Sequence, residues 1–432
     1  MGVGTRHERR GTRPATRPRG PERRGPELPG PDLRGPELRG PAAGRAQRDR
    51  PAGERGRDAW ADNLKTLLVA GVILAHAIIA WTGVGNWVLT VTPVRDPLLT
   101  LLLLVSLVGN LFGMATFFWI AGMYSPPSLR RKGPRRFVAD RAVRLGVPLV
   151  FFVIVLAPFV EYVDSSNADW SGGFWALALT VVWVPPLSGQ LLPPAWGPTW
   201  FLAVLLLLSA AYALVRRVVP APHRASDAPP APALRGRYLA AAAVVVAAAS
   251  YLVRLAVPLG DEWFRLPVAQ APAWVVGFTL GVLGAERGWF HDGALARRAG
   301  RVAWATAGAT ALMVAAASAA GSNLALFAGG GTWQSLLAAT LEGVLTVTVP
   351  VWLVDVFRRR LDHQGPVARR AGRAAFAAFV LHQPILVALA LGSERLAWPP
   401  ELAFAAVAAT AVVASFGLGA LAVRLPGVSR VV

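Results

Sequence analysis

A histidine inside an apolar run is the feature of this sequence most suggestive of chemistry. His76 lies in the run LLVAGVILAHAIIAW, eleven residues after Lys65. In a helix this separation is about 16 Å, which places Lys65 near one membrane surface and His76 deep in the membrane. Because an imidazole exchanges protons near neutral pH, His76 is predicted to be a catalytic proton acceptor. The alternative is that it forms a hydrogen bond between two helices.

Two further ionisable residues lie within apolar runs, where a polar group is costly and therefore a candidate for function. Glu342, in the run 334–356, is predicted to orient His76 or a sugar hydroxyl. The alternative is a paired contact between helices. His382 precedes Gln383-Pro384. Since Pro384 frees a backbone carbonyl and bends a helix, His382 is either a site residue or an occupant of that kink.

Other familiar catalytic patterns are missing from the sequence. It has no cysteine, which excludes thiolate zinc sites, iron–sulfur clusters and disulfides. It has no Gly-x-Ser-x-Gly turn, no His-Glu-x-x-His helix and no phosphate-binding Gly-x-x-x-x-Gly-Lys-Ser/Thr loop. We therefore expect neither a metal site nor a bound cofactor.

The elements that position these residues are predicted to be membrane helices. The chain of 432 residues is 54% hydrophobic and only 16% charged, against about 25% charged in soluble domains. Ten apolar runs have roughly the length of a membrane-spanning helix. These runs are 64–82, 98–122, 145–163, 199–215, 238–257, 267–284, 302–320, 334–356, 374–391 and 400–423. The predicted fold is all-α, a polytopic membrane protein with ten transmembrane helices.

The distribution of basic residues orients these helices. Alternate connections, together with the segment after 423, hold 24 Lys and Arg, and the intervening connections hold 3. The positive-inside rule then places both termini in the cytoplasm. The expected location is the cell (plasma) membrane. Counting 174–187 as a further span would invert all later connections, so this run is predicted to be interfacial or re-entrant. The net charge of +20 is thereby explained by the basic cytoplasmic tail and connections. The expected partner is the lipid bilayer, and no nucleic acid is needed to account for the charge.

The chain is predicted to have three parts. Residues 1–59 are rich in Gly, Pro and Arg, with Gly-Pro pentads from Gly20 to Gly40, and are expected to be a disordered basic cytoplasmic tail. Residues 60–424 form the membrane domain, and residues 425–432 form a short cytoplasmic tail. No catalytic role is expected for the tails.

Five motifs carry a resemblance to a known family. They are Asp62-Asn63-Leu64-Lys65 with His76 eleven residues after Lys65, Phe117-Phe118-Trp119-Ile120-Ala121-Gly122-Met123-Tyr124, Arg136-Phe137 with Arg141, Arg144 and Pro148, Trp200-Phe201-Leu202, and Phe379-Val380-Leu381-His382-Gln383-Pro384. In this order they resemble the membrane acyltransferase-3 family, and most of all its glucan-succinylating branch. Lys65 stands where the family has Arg, and Ala121 where Ser is usual. The resemblance covers roughly residues 60–424.

The resemblance implies an integral-membrane O-acyltransferase of bacterial envelopes. An acetyl or succinyl group would pass from acyl-coenzyme A, reached from the cytoplasm, to a hydroxyl of an envelope carbohydrate, glycolipid or glycosylated small molecule. His76 would take the hydroxyl proton, with Glu342 assisting. The residues expected to bind substrate or acyl-coenzyme A are Lys65, Arg141, Arg144, Arg136, Trp200 and His382. Acyl-coenzyme A is a co-substrate here.

Several alternatives stay open at this stage. Arg141 and Arg144, three residues apart, are expected to share a helix face and bind phosphates, or else they only enforce topology. The external segment 164–198, rich in Trp, Asn and Asp, either holds a sugar or forms an interfacial aromatic belt. The rival function is a transporter or flippase for a glycan or lipid-linked substrate, although no internal repeat supports it. A non-catalytic sensor or scaffold is the third class.

Overall fold

The computed structural model describes residues 1–2, 58–83, 87–164, 170–183, 195–219, 235–289, 296–321 and 323–431. The chain divides into two units, Met1–Arg57 and Asp58–Val432. The predicted tail 1–59 lies almost entirely outside the described residues and stays a prediction. The fold described below is that of the unit Asp58–Val432.

This unit is built from α-helices, as predicted, and the described residues contain no β-strand beyond an isolated bridge between Trp263 and Leu266. In chain order the helices are α1 (Ala59–Thr82), α2 (Leu98–Arg141), α3 (Val147–Phe151), α4 (Ala157–Val163), α5 (Phe174–Leu177), α6 (Trp200–Val218), α7 (Gly236–Arg254), α8 (Ala271–Arg287), α9 (Ala296–Ala320), α10 (Trp333–Arg360), α11 (Pro366–Glu394), α12 (Pro400–Ala422) and α13 (Val428–Val431).

The described residues include nine helical segments long and apolar enough to cross a membrane, where the sequence predicted ten. The difference lies in the second segment, Leu98–Val163, whose 66 residues contain both predicted spans 98–122 and 145–163. A straight helix of that length would measure about 99 Å, far more than a hydrocarbon core of about 30 Å. Gly133, with φ 72° and ψ 163°, breaks the helix between the two. The protein is therefore a polytopic membrane protein; the cytoplasmic position of its termini stays a prediction.

A proline explains how the run predicted to be interfacial attaches to the bundle. Pro158 has no N–H to donate to the carbonyl of Ile154, and a π-helical turn, Phe152–Leu156, precedes it. That carbonyl instead accepts a hydrogen bond from the indole Nε1 of Trp183 at 3.2 Å. The described part of the run, 174–183, is about 15 Å long as a helix and too short to span a membrane.

Small residues allow α2 and α8 to pack backbone against backbone. A Cβ added to Gly122 would lie 2.1 Å from the carbonyl oxygen of Phe278, and one added to Gly281 would lie 2.0 Å from that of Trp119. Neither position has room for a side chain. Small residues at helix crossings are typical of membrane bundles, where van der Waals packing rather than the hydrophobic effect holds helices together.

The first helix is fixed against α11 at the end that carries Lys65. The side-chain amide of Asn63 donates to the carbonyl of Leu361 at 2.8 Å and to that of His363 at 3.0 Å. Gln364 Nε2 donates to Asn63 Oδ1 at 3.0 Å. These bonds join α1 to the connection between α10 and α11, and so set how far α1 and α11 are shifted along each other. The same two helices carry the two histidines of the sequence motifs.

Candidate active site

Two histidines that are 306 residues apart in the chain meet between α1 and α11. His76 Nδ1 lies 2.9 Å from His382 Nε2, which is a hydrogen-bond distance. The two imidazole planes are inclined by 21°, with ring centroids 5.0 Å apart. His382 is fully buried, whereas His76 remains partly exposed. The sequence predicted both as site residues but gave no reason to pair them.

The backbone determines which nitrogens of the pair carry protons. The carbonyl oxygen of Phe379 lies 2.5 Å from His382 Nδ1, and a carbonyl only accepts, so Nδ1 carries the hydrogen. Nε2 of a neutral His382 then bears the lone pair and accepts from Nδ1–H of His76. This leaves Nε2 of His76 as a free base. The protons are assigned from this hydrogen-bond network.

Aromatic residues support the buried side of the pair. The ring of Phe379 lies 5.8 Å from that of His382, and Phe201 packs edge-on against Phe379, also at 5.8 Å. Trp200 touches Phe201 and lies at 4.5 Å from the ring of Trp274. Trp200, a predicted substrate-binding residue, is thus linked to the histidine pair through Phe201 and Phe379.

Two residues near the pair were not singled out from the sequence. The indole of Trp87 stacks on His76, with centroids 4.5 Å apart and planes inclined by 22°. Gln383 is buried and packs closely against Gly197, where an added Cβ would lie 2.3 Å from the Oε1 of Gln383. Gln383 was visible as part of the His-Gln-Pro motif. Trp87 lies in a connection without periodicity, so no local signal marked it.

Glu342 does not contact His76 in the described structure, so the predicted orientation of His76 lacks a contact, and the predicted role toward a sugar hydroxyl stays a prediction. Its Oε2 accepts a hydrogen bond from Nη2 of Arg254 at 2.8 Å, and both side chains are almost completely buried. The pair joins α10 to α7. The structure therefore favours the alternative reading of Glu342, an ion pair between helices, because the nearest cation takes up its charge.

Lys65 lies at the other end of α1 from His76, as its position in the helix predicts. Its Nζ is 3.5 Å from Asp62 Oδ1 and 5.3 Å from the centre of the Tyr124 ring. The hydroxyl of Tyr124 in turn donates to Asp58 Oδ2 at 3.3 Å. The structure thus brings the Asp-Asn-Leu-Lys motif of α1 against the last residue of the Phe-Phe-Trp-Ile-Ala-Gly-Met-Tyr motif of α2.

The predicted phosphate-binding arginines lie around the end of α2. Arg144 Nε is 3.3 Å from Asp140 Oδ1, and Lys132 Nζ is 2.7 Å from Asp140 Oδ2. The guanidinium of Arg141 lies 5.4 Å from the centre of the Phe137 ring. A π-helical turn, Ala142–Gly146, follows Arg141. Because a π turn is wider than an α turn, Arg141 and Arg144 are less closely aligned than the predicted α-helical spacing requires.

Arg136 lines a surface cavity near this cluster. The cavity has a volume of about 400 Å³. Its lining residues are Lys132, Gly133, Pro134, Arg135, Arg136 and Arg217. The break in the helix at Gly133 creates the concave wall, and α6 contributes Arg217. Four cationic side chains therefore line one cavity. Their positive charge favours the binding of an anion.

Comparison with known proteins defines the class. Residues 58–420 match the profile of the acyltransferase-3 family, described as an acyltransferase domain. The match covers most of the chain and all five motifs, so the protein belongs to this family. It is an integral-membrane acyltransferase that carries out O-acylation, as predicted. No curated protein and no solved structure matches the chain.

Proposed function

We propose that this protein transfers an acetyl or succinyl group from acyl-coenzyme A to a hydroxyl of an envelope carbohydrate, glycolipid or glycosylated small molecule. The observation that carries the proposal is the His76–His382 pair, whose hydrogen bonds leave Nε2 of the partly exposed residue His76 to accept a proton. The glucan-succinylating branch, suggested by the sequence motifs, makes a glucan the first acceptor to test. The plasma membrane of a bacterium is the expected location.

The chemistry follows from the proton arrangement of the pair. Nε2 of His76 takes the proton of the acceptor hydroxyl as the oxygen attacks the thioester carbonyl carbon. The tetrahedral intermediate expels the thiolate of coenzyme A, which receives the proton back from His76. His382 accepts from Nδ1–H throughout and holds the ring in the productive tautomer. The products are an ester and free coenzyme A.

The donor is proposed to bind from the side of α2 that carries Lys132 and Arg136. Coenzyme A bears several phosphates, and guanidinium groups bind phosphate oxygens through paired hydrogen bonds. The cavity of about 400 Å³ lined by Lys132, Arg135, Arg136 and Arg217 supplies such groups. Lys65, Arg141 and Arg144 are proposed to extend this basic surface toward α1.

The acceptor is proposed to approach from the opposite end, where aromatic side chains are exposed. Trp263 and Phe264 lie at the tip of a tight turn whose residues Phe264 and Arg265 have φ of 54° and 55°. The turn is held by an ion pair of 2.6 Å between Arg265 and Glu161. Trp196 Nε1 also donates to the carbonyl of Phe264 at 3.2 Å. A strained, anchored turn that presents aromatic faces suits a sugar ring.

The test uses purified protein in lipid nanodiscs with radiolabelled acetyl- and succinyl-coenzyme A. Thioester hydrolysis and transfer to a panel of glucans and glycolipids are measured for the wild type, His76→Gln and Arg136→Gln. We expect wild-type turnover with one donor, none with His76→Gln, and a raised donor KM with Arg136→Gln. Arg360→Gln, which removes a basic residue at the end of α10 and outside the cavity, is the matched control for charge.

Two outcomes would contradict the proposal. If His76→Gln transfers the acyl group as fast as the wild type, the histidine pair is not the reaction centre. If Arg136→Gln and Arg360→Gln raise the donor KM equally, the cavity has no specific role and the net basic charge attracts the donor. If the protein used a different acyl-coenzyme A, only the proposed acyl group would be wrong, and the proposed reaction would stand.

A further inference from the structure

The indole of Trp87 lies face to face with the imidazole of His76. The ring centroids are 4.5 Å apart and the planes are inclined by 22°. His382 meets a ring nitrogen of His76, whereas Trp87 covers a ring face. Among the described residues, the ring contacts of His76 are with these two side chains. His382 is the titratable group among them.

The connection after α1 is built so that Trp87 turns back onto the helix. Gly83 ends α1 in the left-handed conformation, with φ 65° and ψ 12°. The backbone then bonds to the end of α1 twice: Val91 N–H donates to Ala80 O at 3.3 Å, and Val94 N–H donates to Trp81 O at 3.1 Å. The placement of Trp87 therefore follows from an anchored segment that folds back over α1.

A stacked indole matters when the imidazole becomes charged. The face of an indole is the negative region of its quadrupole and attracts a cation above it, with an energy that rises as water is excluded. His76 becomes an imidazolium when it takes the acceptor proton. The charge then lies between the Trp87 face and the lone pair of His382 Nε2, both of which favour it.

We infer that Trp87 is a positioning residue of this site, whose stacked indole orients the His76 ring and stabilises the imidazolium formed during acyl transfer. This inference rests on the proposed function for its catalytic part. Its structural part, the contact of Trp87 with a protonatable His76, can be tested without turnover. The experiment therefore has one arm for each part.

The first arm measures His76 by NMR in nanodiscs with labelled histidine, assigned by loss of the signal in His76→Gln. In the wild type, the ring current of Trp87 shifts the imidazole protons of His76 upfield. In Trp87→Leu this shift disappears, and the midpoint pH of His76 protonation falls by roughly 0.4 to 1.5 units, the equivalent of a cation–π contact. An unchanged chemical shift and midpoint would overturn the inference, whatever the activity.

The second arm measures kcat and KM with fluorinated tryptophans introduced at position 87 alone. Fluorine withdraws electron density from the indole face and hardly changes its shape, so kcat is expected to fall stepwise with each added fluorine. Trp87→Phe should keep part of kcat, and Trp87→Leu should lose about 3- to 30-fold with little change in either KM. The same series at Trp304, a residue 81% exposed on α9, is the control.

The outcomes separate the two ideas. Equal kcat across the fluorinated series at position 87 would overturn the electrostatic role, because only the electron density varies. Loss of expression in Trp87→Leu leaves the fluorinated proteins as the decisive measurement. If the wild type transfers no acyl group but the NMR shifts appear as expected, the proposed substrates fail while the Trp87–His76 contact stands.

Discussion

Two polar pairs join helices inside this protein, and they differ in almost every respect that matters for chemistry. His76 and His382 are neutral side chains in the assigned network, each nitrogen at their contact has a partner, and one member is partly exposed. Arg254 and Glu342 are both buried. In the described structure Glu342 Oε1 and two nitrogens of Arg254, Nε and Nη1, have no hydrogen-bond partner.

The difference shows that burial of an ionisable group is a poor guide to its role. In a buried ion pair each charge neutralises the other, and removal of one partner is costly because the other charge stays behind unpaired. The histidine pair instead leaves Nε2 of the partly exposed His76 without an assigned proton. By sequence alone, Glu342 and His76 were both predicted to be catalytic, since each is an ionisable residue within an apolar run.

The largest expected effect separates the pairs by activity. His76→Gln removes the base, so the rate of acyl transfer should fall by about 10²- to 10⁴-fold, the usual contribution of general base catalysis. The apparent thermal midpoint should change little, because His76 is partly exposed and Gln fits a polar contact. Transfer is measured with the radiolabelled donor and unfolding by a thermal scan in detergent. If His76→Gln transferred the acyl group at the wild-type rate but unfolded at a lower temperature, the role of the histidine pair would be structural and not catalytic.

The next effect separates the pairs by stability. Glu342→Leu leaves Arg254 charged and unpaired in the interior, which should cost about 3–5 kcal/mol of unfolding free energy. The double variant Glu342→Leu/Arg254→Leu removes both charges and should recover most of that loss. Denaturant unfolding in detergent measures both. If Glu342→Leu is stable but inactive, Glu342 is a catalytic residue as the sequence first suggested.

A smaller effect tests the coupling within the histidine pair. His382→Leu removes the acceptor for His76 Nδ1–H, so kcat should fall by roughly 5- to 150-fold, the equivalent of about 1–3 kcal/mol for an unsatisfied buried donor. His382→Gln keeps an acceptor and should lose less. Because the two residues act as a unit, adding His382→Leu to His76→Gln should cost almost nothing more. Additive losses would show that His382 acts elsewhere.

The smallest effect concerns the ion pair between Lys65 and Asp62. Unlike the pair of Arg254 and Glu342, it includes an exposed side chain. The side chain of Lys65 is 42% exposed, so its contact with Asp62 is screened by water. Lys65→Met should therefore change the unfolding free energy by less than about 1 kcal/mol. If Lys65 binds the donor, the KM for acyl-coenzyme A rises in Lys65→Met and returns toward the wild-type value in Lys65→Arg. Steady-state kinetics at varied donor concentration measure both.

Much of the fold could be read from the sequence because membrane insertion is governed by local composition. Nearly every predicted span corresponds to a described helix, and the one merged pair is separated at Gly133, where the chain departs from helical geometry. The run 174–187 was not predicted to be a span; its described part is ten residues long, and the rest of it lies outside the described residues. A span must satisfy its own backbone hydrogen bonds, so its signal is contained in about twenty consecutive residues.

The candidate site was predictable only in part. His76 and His382 were each predicted from their own runs, and the structure brings them together, while their roles stay predictions. Lys65 lies where the helical rise from His76 predicts. The partner of Glu342 in the described structure, Arg254, was not predicted, because an apolar run shows that an ionisable group is buried but not which group faces it. Trp87 was missed because stacking on His76 depends on a connection that folds back over α1.

The sequence by itself determined the class of this protein: the apolar runs, the basic connections and five ordered motifs specify a helical membrane acyltransferase. These are properties of short segments, so they can be recognised without knowledge of any tertiary contact. Only the tertiary structure decided which polar groups are partners. Helix packing brings together residues 76 and 382, which are 306 positions apart in the sequence, and residues 254 and 342, which are 88 positions apart. Proton positions, charge neutralisation and stacking depend on those contacts, and through them the same residue types become either a reaction centre or an internal ion pair.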